Sequence, residues 1–137
     1  RYIAEQTISE LTKQGKNLIG SKIGILGLSF KENCSDIRNT KVIDIVNHLK
    51  LHQCNILITD DWVESLDAKQ QLNINLIKLS EIEGCDVIIL AVAHDIYKNF
   101  TIKEWKKLLK SSGVVIDVKS IYNKETFKGS DIKYWRL

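Results

Sequence analysis

Methionine is absent from the 137-residue sequence, which begins with Arg1, and cysteine occurs only three times. Because an intact translation product starts with methionine, we expect a segment of a larger protein. The cysteines, at positions 34, 54 and 85, are odd in number and show no CxxC spacing. This pattern argues against a disulfide scaffold or a structural zinc site, and it favours a reducing, cytoplasmic compartment.

The sequence also has no apolar run approaching the roughly 20 residues that cross a bilayer, and no signal peptide. Charge of one sign does not dominate, since 20 basic and 17 acidic residues are interspersed and give a net charge of +3. We therefore expect no nucleic-acid partner and no membrane partner. The hydrophobic fraction of 44% and the length are typical of one soluble globular domain.

Short apolar runs alternate with helical patterns along the chain. Strands are predicted at 22–28, 55–59, 87–92 and 114–117, with a possible short strand at 76–79 and an edge strand at 133–135. Helices are predicted from 2 to about 16, from about 40, in one turn opened by Ser80, and from Thr101, where Glu104 completes a capping box. This alternation predicts an α/β fold with a Rossmann-like, doubly wound, mainly parallel sheet in three layers.

A polar loop, residues 27–41, separates the first predicted strand from the helix that follows it. In open α/β sheets, ligands bind in the crevice beyond the carboxyl ends of the strands. The loop leaves from such an end, so we expect it to hold a ligand.

The same loop carries a family resemblance, in FKENC at 30–34 and DIRNTKV at 36–42. These motifs resemble the signature that opens the C-terminal domain of the UDP-glucose/GDP-mannose dehydrogenase family. They are most similar to the branch that oxidises UDP-N-acetylhexosamines for bacterial surface polysaccharides. Agreement continues at 86–94, 115–119 and 134–137. Ser35 stands where the family often has proline, which suggests a looser turn because proline would fix φ.

The resemblance implies that residues 18–137 are the UDP-sugar-binding domain of an NAD-dependent UDP-sugar 6-dehydrogenase. Residues 1–17 would then be the connecting helix from a missing central domain, although an ordinary helix packed on its own domain fits the pattern equally well. NAD and the catalytic cysteine would belong mainly to the missing N-terminal part, and the full-length enzyme would be a homo-oligomer. The alternative function is a noncatalytic nucleotide-sensing or interaction module with a flavodoxin-like sheet.

The resemblance also implies that Phe30, Lys31 and Lys119 contact UDP, and Lys119 could instead be a solvated loop lysine. Phe30 would pack on the ribose or base, and the lysines would act as point charges on the diphosphate. Arg38 could form a fork for phosphate oxygens, or it could pair with Asp36 or a neighbouring glutamate and order the loop. Asp36 is expected to order the loop or to cap the helix.

Several other residues are assigned no role in chemistry. Gly24 and Gly27 lie within the predicted strand, where they cannot form the GxGxxG turn that binds a dinucleotide, so NAD binding by this chain alone is not expected. Cys34 is interpreted as a loop residue. His94 is interpreted as a residue that makes a structural hydrogen bond, and the alternative is a role in shaping the crevice.

No metal site and no catalytic residue are expected in this chain. His48 and His52 share a helical face but have no evident third ligand. The other two cysteines, Cys54 and Cys85, are interpreted as small buried hydrophobic residues.

Overall fold

The computed structural model describes residues 1–137 and contains one five-stranded sheet in which every neighbouring pair is parallel. The strands are β1 Lys22–Leu26, β2 Asn55–Thr59, β3 Cys85–Leu90, β4 Leu109–Asp117 and β5 Lys133–Arg136. The helices are α1 Tyr2–Lys13, α2 Val42–Lys50, α3 Ser65–Leu72 and α4 Ile102–Leu108. The strand order β2-β1-β3-β4-β5 is that of a doubly wound sheet and confirms the predicted fold class.

Each face of the sheet has its own apolar core, because successive strand side chains point to opposite faces. Ile23 and Ile89 belong to the core beneath α1, α2 and α3, whereas Leu26 and Ile88 belong to the core on the other face. That second core is covered by α4 and by short 3₁₀ turns. The result is the predicted three-layer arrangement, and none of its helices is long and apolar enough to cross a membrane.

Helix α1 packs against the domain through its buried face and ends three residues earlier than the predicted 16. The segment after it is fixed by Asp86 at the amino end of β3. One carboxylate oxygen, Oδ1, accepts from Lys16 Nζ at 2.9 Å, and Oδ2 accepts from the backbone amide of Lys22 at 2.9 Å. Asp86 therefore ties the end of the α1 segment and the start of β1 to β3.

Two predictions around residues 76–81 are wrong. Leu76 makes only an isolated bridge to Ile58 instead of starting a strand, so the proposed strand 76–79 does not form. The 3₁₀ turn is Leu79–Glu81 rather than a turn capped by Ser80, because the Glu81 carboxylate accepts from the Lys78 amide at 2.9 Å. The Thr101 capping box is confirmed, since its hydroxyl accepts from the Glu104 amide at 3.2 Å.

Strand boundaries also differ from the prediction, and β3 covers Cys85–Leu90 rather than 87–92. β4 begins at Leu109, five residues before the predicted start, and its pairing with β3 shifts register between Cys85 and Val87. β1 ends at Leu26, so Gly27 lies just beyond it with φ +101°. A Cβ at Gly27 would lie 2.5 Å from the Val92 Cβ, which explains why glycine occupies this position.

Candidate functional site

A crevice of about 660 Å³ lies at the carboxyl ends of β1, β3 and β4. Its walls are mainly apolar and include Phe30 from the loop after β1, Val92 after β3 and Tyr2 in the first turn of α1. Arg1, Lys41 and Lys119 add positive charge to the same walls, and Asp44 adds one carboxylate. An apolar crevice with a few cationic side chains suits a ligand that combines a flat ring with negatively charged groups.

Two of the three predicted contact residues, Phe30 and Lys119, line this crevice. The Phe30 side chain is 54% exposed, which is unusual for a large apolar residue and leaves its ring available for packing. Lys31 is exposed next to Phe30 but does not belong to the walls. Their contact with a nucleotide stays a prediction.

The predicted loop-ordering residues, Asp36 and Arg38, form an ion pair on the surface. Arg38 Nε donates to Asp36 Oδ1 at 3.1 Å, and the terminal guanidinium nitrogen donates to Oδ2 at 3.0 Å. Hydrogen bonds from Arg38 lower the pKa of Asp36 below its usual value. The Asp36 carbonyl also accepts from the Phe30 amide at 2.6 Å, which closes the turn. This pairing supports a loop-ordering role, which stays a prediction.

A buried carboxylate, Asp60 at the carboxyl end of β2, holds the start of the same loop. Its Oδ2 accepts from the backbone amides of Leu28 and Ser29 at 2.7 and 3.0 Å, and its Oδ1 accepts from the Trp62 amide at 2.8 Å. Burial raises the pKa of Asp60, but the hydrogen bonds from His94 and the two loop amides outweigh it and leave the pKa lowered.

His94, fully buried after β3, joins this arrangement and confirms the interpretation of a structural hydrogen bond. Its Nε2 lies 2.9 Å from Asp60 Oδ2 and 3.2 Å from Ser29 Oγ. Its Nδ1 accepts from the Asn33 amide at 2.8 Å. Three segments, the ends of β2 and β3 and the loop after β1, therefore meet at one imidazole and one carboxylate.

The sequence interpretation missed Asp60 as part of the site. Its position directly after an apolar strand that neighbours β1 is the signal that indicates it, because carboxyl ends of adjacent parallel strands lie together. The partners of Asp60 could not be assigned without the sheet order.

The turn that carries Lys119 is organised by Asp117, a buried carboxylate at the end of β4. Its Oδ2 accepts from the Tyr122 amide at 2.9 Å and from the Tyr134 hydroxyl at 2.6 Å. Burial is the main cause of a raised pKa of Tyr134, and the Asp117 carboxylate raises it further. The Tyr134 hydroxyl therefore stays protonated and continues to donate at neutral pH.

The turn after β1 does not fit a dinucleotide. In a dinucleotide-binding turn, backbone amides face the pyrophosphate. Here the amides of Leu28 and Ser29 already donate to Asp60, and Phe30 occupies the turn. The chain also contains no group of three or more His, Cys, Asp or Glu side chains that could hold a metal ion.

Comparison with known proteins gives the family. Residues 24–124 match the family model described as the UDP-glucose/GDP-mannose dehydrogenase family, UDP binding domain. The chain belongs to the UDP-glucose/GDP-mannose dehydrogenase family. The match spans β1 to the turn after Lys119, and thus the segments that form most of the crevice.

Among the relatives of this UDP-binding domain, Protein CapL of Staphylococcus aureus is 39% identical over 137 residues, which are 100% of this chain and 32% of that protein. The UDP-N-acetyl-D-glucosamine 6-dehydrogenase of Salmonella typhi is 38% identical over 122 residues, 88% of this chain and 28% of that protein. The chain therefore spans about a third of the length of the curated relatives it matches.

A solved structure, the NDP-N-acetyl-D-galactosaminuronic acid dehydrogenase from Methanosarcina mazei Go1, shares the fold with a TM-score of 0.89. Its sequence is 22% identical, and the match covers 99% of this chain and 28% of that one. The doubly wound sheet described above is therefore also found in that solved structure.

Proposed function

We propose that this chain is the UDP-sugar-binding domain of an NAD-dependent UDP-N-acetylhexosamine 6-dehydrogenase that acts in polysaccharide biosynthesis. The observation that carries the proposal is the crevice in which Phe30 and Lys119 lie together at the carboxyl edge of the sheet. The family match and the names of the relatives support the substrate class. NAD would be held by the part of the enzyme outside this chain, in a cytoplasmic homo-oligomer.

In this proposal the chain binds the nucleotide end of the substrate. The ring of Phe30 packs on the ribose or base, while Lys119 and Lys31 neutralise the diphosphate. The amino end of α2, which borders the crevice at Val42, adds a favourable dipole for an anion. Binding energy gained far from the reacting carbon then orients the sugar in the rest of the enzyme.

Titration calorimetry of the 137-residue chain with UDP tests this assignment. Lys119→Ala and Lys31→Ala should each weaken UDP binding by about tenfold to a hundredfold, since a hydrogen bond to a charged group contributes about 1.5–3 kcal/mol. Lys103→Ala is the matched control, because Lys103 is an exposed lysine of α4 on the other face of the sheet. Equal losses in all three variants would indicate nonspecific charge attraction and contradict the proposal.

The full-length protein separates the dehydrogenase from a nucleotide-sensing module. Oxidation of a C6 alcohol to a carboxylate releases four electrons, so each UDP-N-acetylhexosamine should reduce two NAD molecules. UDP binding without any NADH formation by the full-length protein would instead favour the sensing module.

A further inference from the structure

We propose that His94 is a positioning residue for nucleotide binding. Its side chain holds the Phe30–Lys31 segment in the conformation that binds the nucleotide. It can do so only as a neutral imidazole with the proton on Nε2. The inference rests on the proposed function, because it concerns the same crevice. His94 does not line that crevice and its side chain is fully buried. Any effect of His94 on the nucleotide must therefore pass through the loop.

The hydrogen-bond partners of the ring fix its tautomer. A backbone N–H can only donate, so the nitrogen that faces the Asn33 amide at 2.8 Å, Nδ1, has no proton. A carboxylate can only accept, so the nitrogen 2.9 Å from Asp60 Oδ2, Nε2, carries the proton. Both assignments are satisfied together by one neutral form of His94.

Hydrogen bonds to Asp60 and to His94 hold the two ends of the Phe30–Lys31 segment. On one side, Ser29 donates its amide to Asp60, and its hydroxyl donates to the Lys31 carbonyl at 2.9 Å. On the other side, Asn33 donates its amide to His94 in a left-handed conformation with φ 52°. The side-chain oxygen of Asn33 also accepts from the Asp95 amide at 3.1 Å. Loss of the His94 acceptor should therefore loosen this end of the loop and leave it held by Asp95 alone.

A second proton on His94 would remove that acceptor. The added Nδ1–H would point at the Asn33 N–H, and two donors repel each other. Titratable groups stand on each of the three segments around the ring. They are Asp60 and Asp61 after β2, Lys31, Glu32, Cys34, Asp36, Arg38 and Lys41 in the loop, and Asp95, Tyr97 and Lys98 after β3. Of these, Asp60 accepts from the ring, and Asp95 pairs with Lys98 at 3.0 Å.

Two variants of the chain test the positioning role. His94→Gln keeps one acceptor and one donor, whereas His94→Leu keeps the volume and loses both. The ligand is UDP-N-acetylglucosamine, because its diphosphate lacks the terminal phosphate whose pKa lies near 6. At pH 7.5 we expect His94→Leu to bind more than about tenfold more weakly, and His94→Gln to bind within about threefold of the wild type.

The pH profile supplies a readout that a purely structural role would not change. Wild-type affinity should fall as the pH is lowered from 7.5 to 5, while His94→Gln should change by less than about threefold. The same fall in both proteins would overturn the inference. Wild-type affinity in a folded His94→Leu chain would also overturn it.

The tautomer can be measured without any ligand, which keeps the inference testable if His94→Leu does not fold. Nitrogen-15 NMR of the imidazole should show an unprotonated Nδ1 and a protonated Nε2 at pH 7.5, with the Asn33 amide protected from exchange. An Nδ1–H tautomer would overturn the inference even if Lys119→Ala loses binding as the proposed function requires. The expected tautomer in a wild-type chain that binds no UDP-sugar would refute both the proposed function and the positioning role.

Discussion

Replacement of Asp60 by asparagine should strongly destabilise the fold. Oδ2 of Asp60 accepts from Leu28, Ser29 and His94, and Oδ1 accepts from Trp62. An amide has one oxygen, so in either orientation its NH₂ group faces at least one donor. Hydrogen bonds to a charged group contribute about 1.5–3 kcal/mol, and neutral ones contribute about 0.5–1.5 kcal/mol. With the amide oxygen in the place of Oδ2, three hydrogen bonds become neutral ones and the NH₂ group faces the Trp62 amide. The total cost should be about 3–5 kcal/mol of unfolding free energy.

Urea unfolding followed by tryptophan fluorescence measures this cost, because Trp105 is fully buried. Asp61→Asn is the matched control: it makes the same change one residue later at an exposed position, and it should shift the free energy of unfolding by less than about 0.5 kcal/mol. A loss below about 1 kcal/mol in Asp60→Asn would refute the assignment of Asp60 as the acceptor that holds the loop.

The pH dependence of the same difference gives a second check. The pKa of Asp60 is lower in the folded state than in the unfolded state. Its carboxylate therefore stabilises the fold at pH values above the unfolded-state pKa of about 3.9. This stabilisation is lost as the pH falls through the lower folded-state pKa. The gap between wild type and Asp60→Asn should therefore not narrow from pH 7 to about 5, and it should narrow below about pH 4. A gap that narrows already between pH 7 and 5 would contradict a lowered pKa.

Three further outcomes are expected. Gly27→Ala should lose about 2–4 kcal/mol of unfolding free energy in urea, because its Cβ would overlap Val92. The control Gly84→Ala, at φ +60° with open space around it, should lose only about 1–2 kcal/mol. Equal losses in the two variants would contradict the steric explanation. Cys34→Ser should bind UDP with an affinity within about threefold of the wild type. The reason is that the Asp36 amide, which donates to the Cys34 sulfur at 3.3 Å, can also donate to a hydroxyl. A folded full-length Cys34→Ser variant without activity would show that the noncatalytic assignment of Cys34 is wrong. The purified chain with NAD and UDP-sugars should form no NADH in an absorbance assay, and sustained NADH formation would disprove this division of roles.

The sequence predicts most of the sheet, because buried parallel strands are continuous apolar runs, and the run at 87–92 overlaps β3 Cys85–Leu90. Helix α3 could not be predicted from periodicity, since only Ala68 of its eight residues is buried. The apolar run at 76–79 suggested a strand, but only Leu76 finds a partner.

The candidate site divides in the same way. Phe30 and Lys119 were found through the family motif, and both line the crevice. The partnership of Asp60 with His94 joins residues 34 positions apart, which no local pattern reveals. Interactions of this kind depend on the order of strands in the sheet.

The parallel sheet has a consequence for how the chain folds. Lys22 at the start of β1 and Asp86 at the start of β3 are hydrogen-bonded across 64 positions of sequence, so the central pair of strands can form only after a long loop has closed. Such nonlocal pairing makes refolding slower than in a helical domain of the same size. The chain has no proline, so no prolyl isomerisation can add a phase of tens of seconds. The closure that brings β1 beside β3 should therefore limit the rate at which the nucleotide crevice appears during refolding.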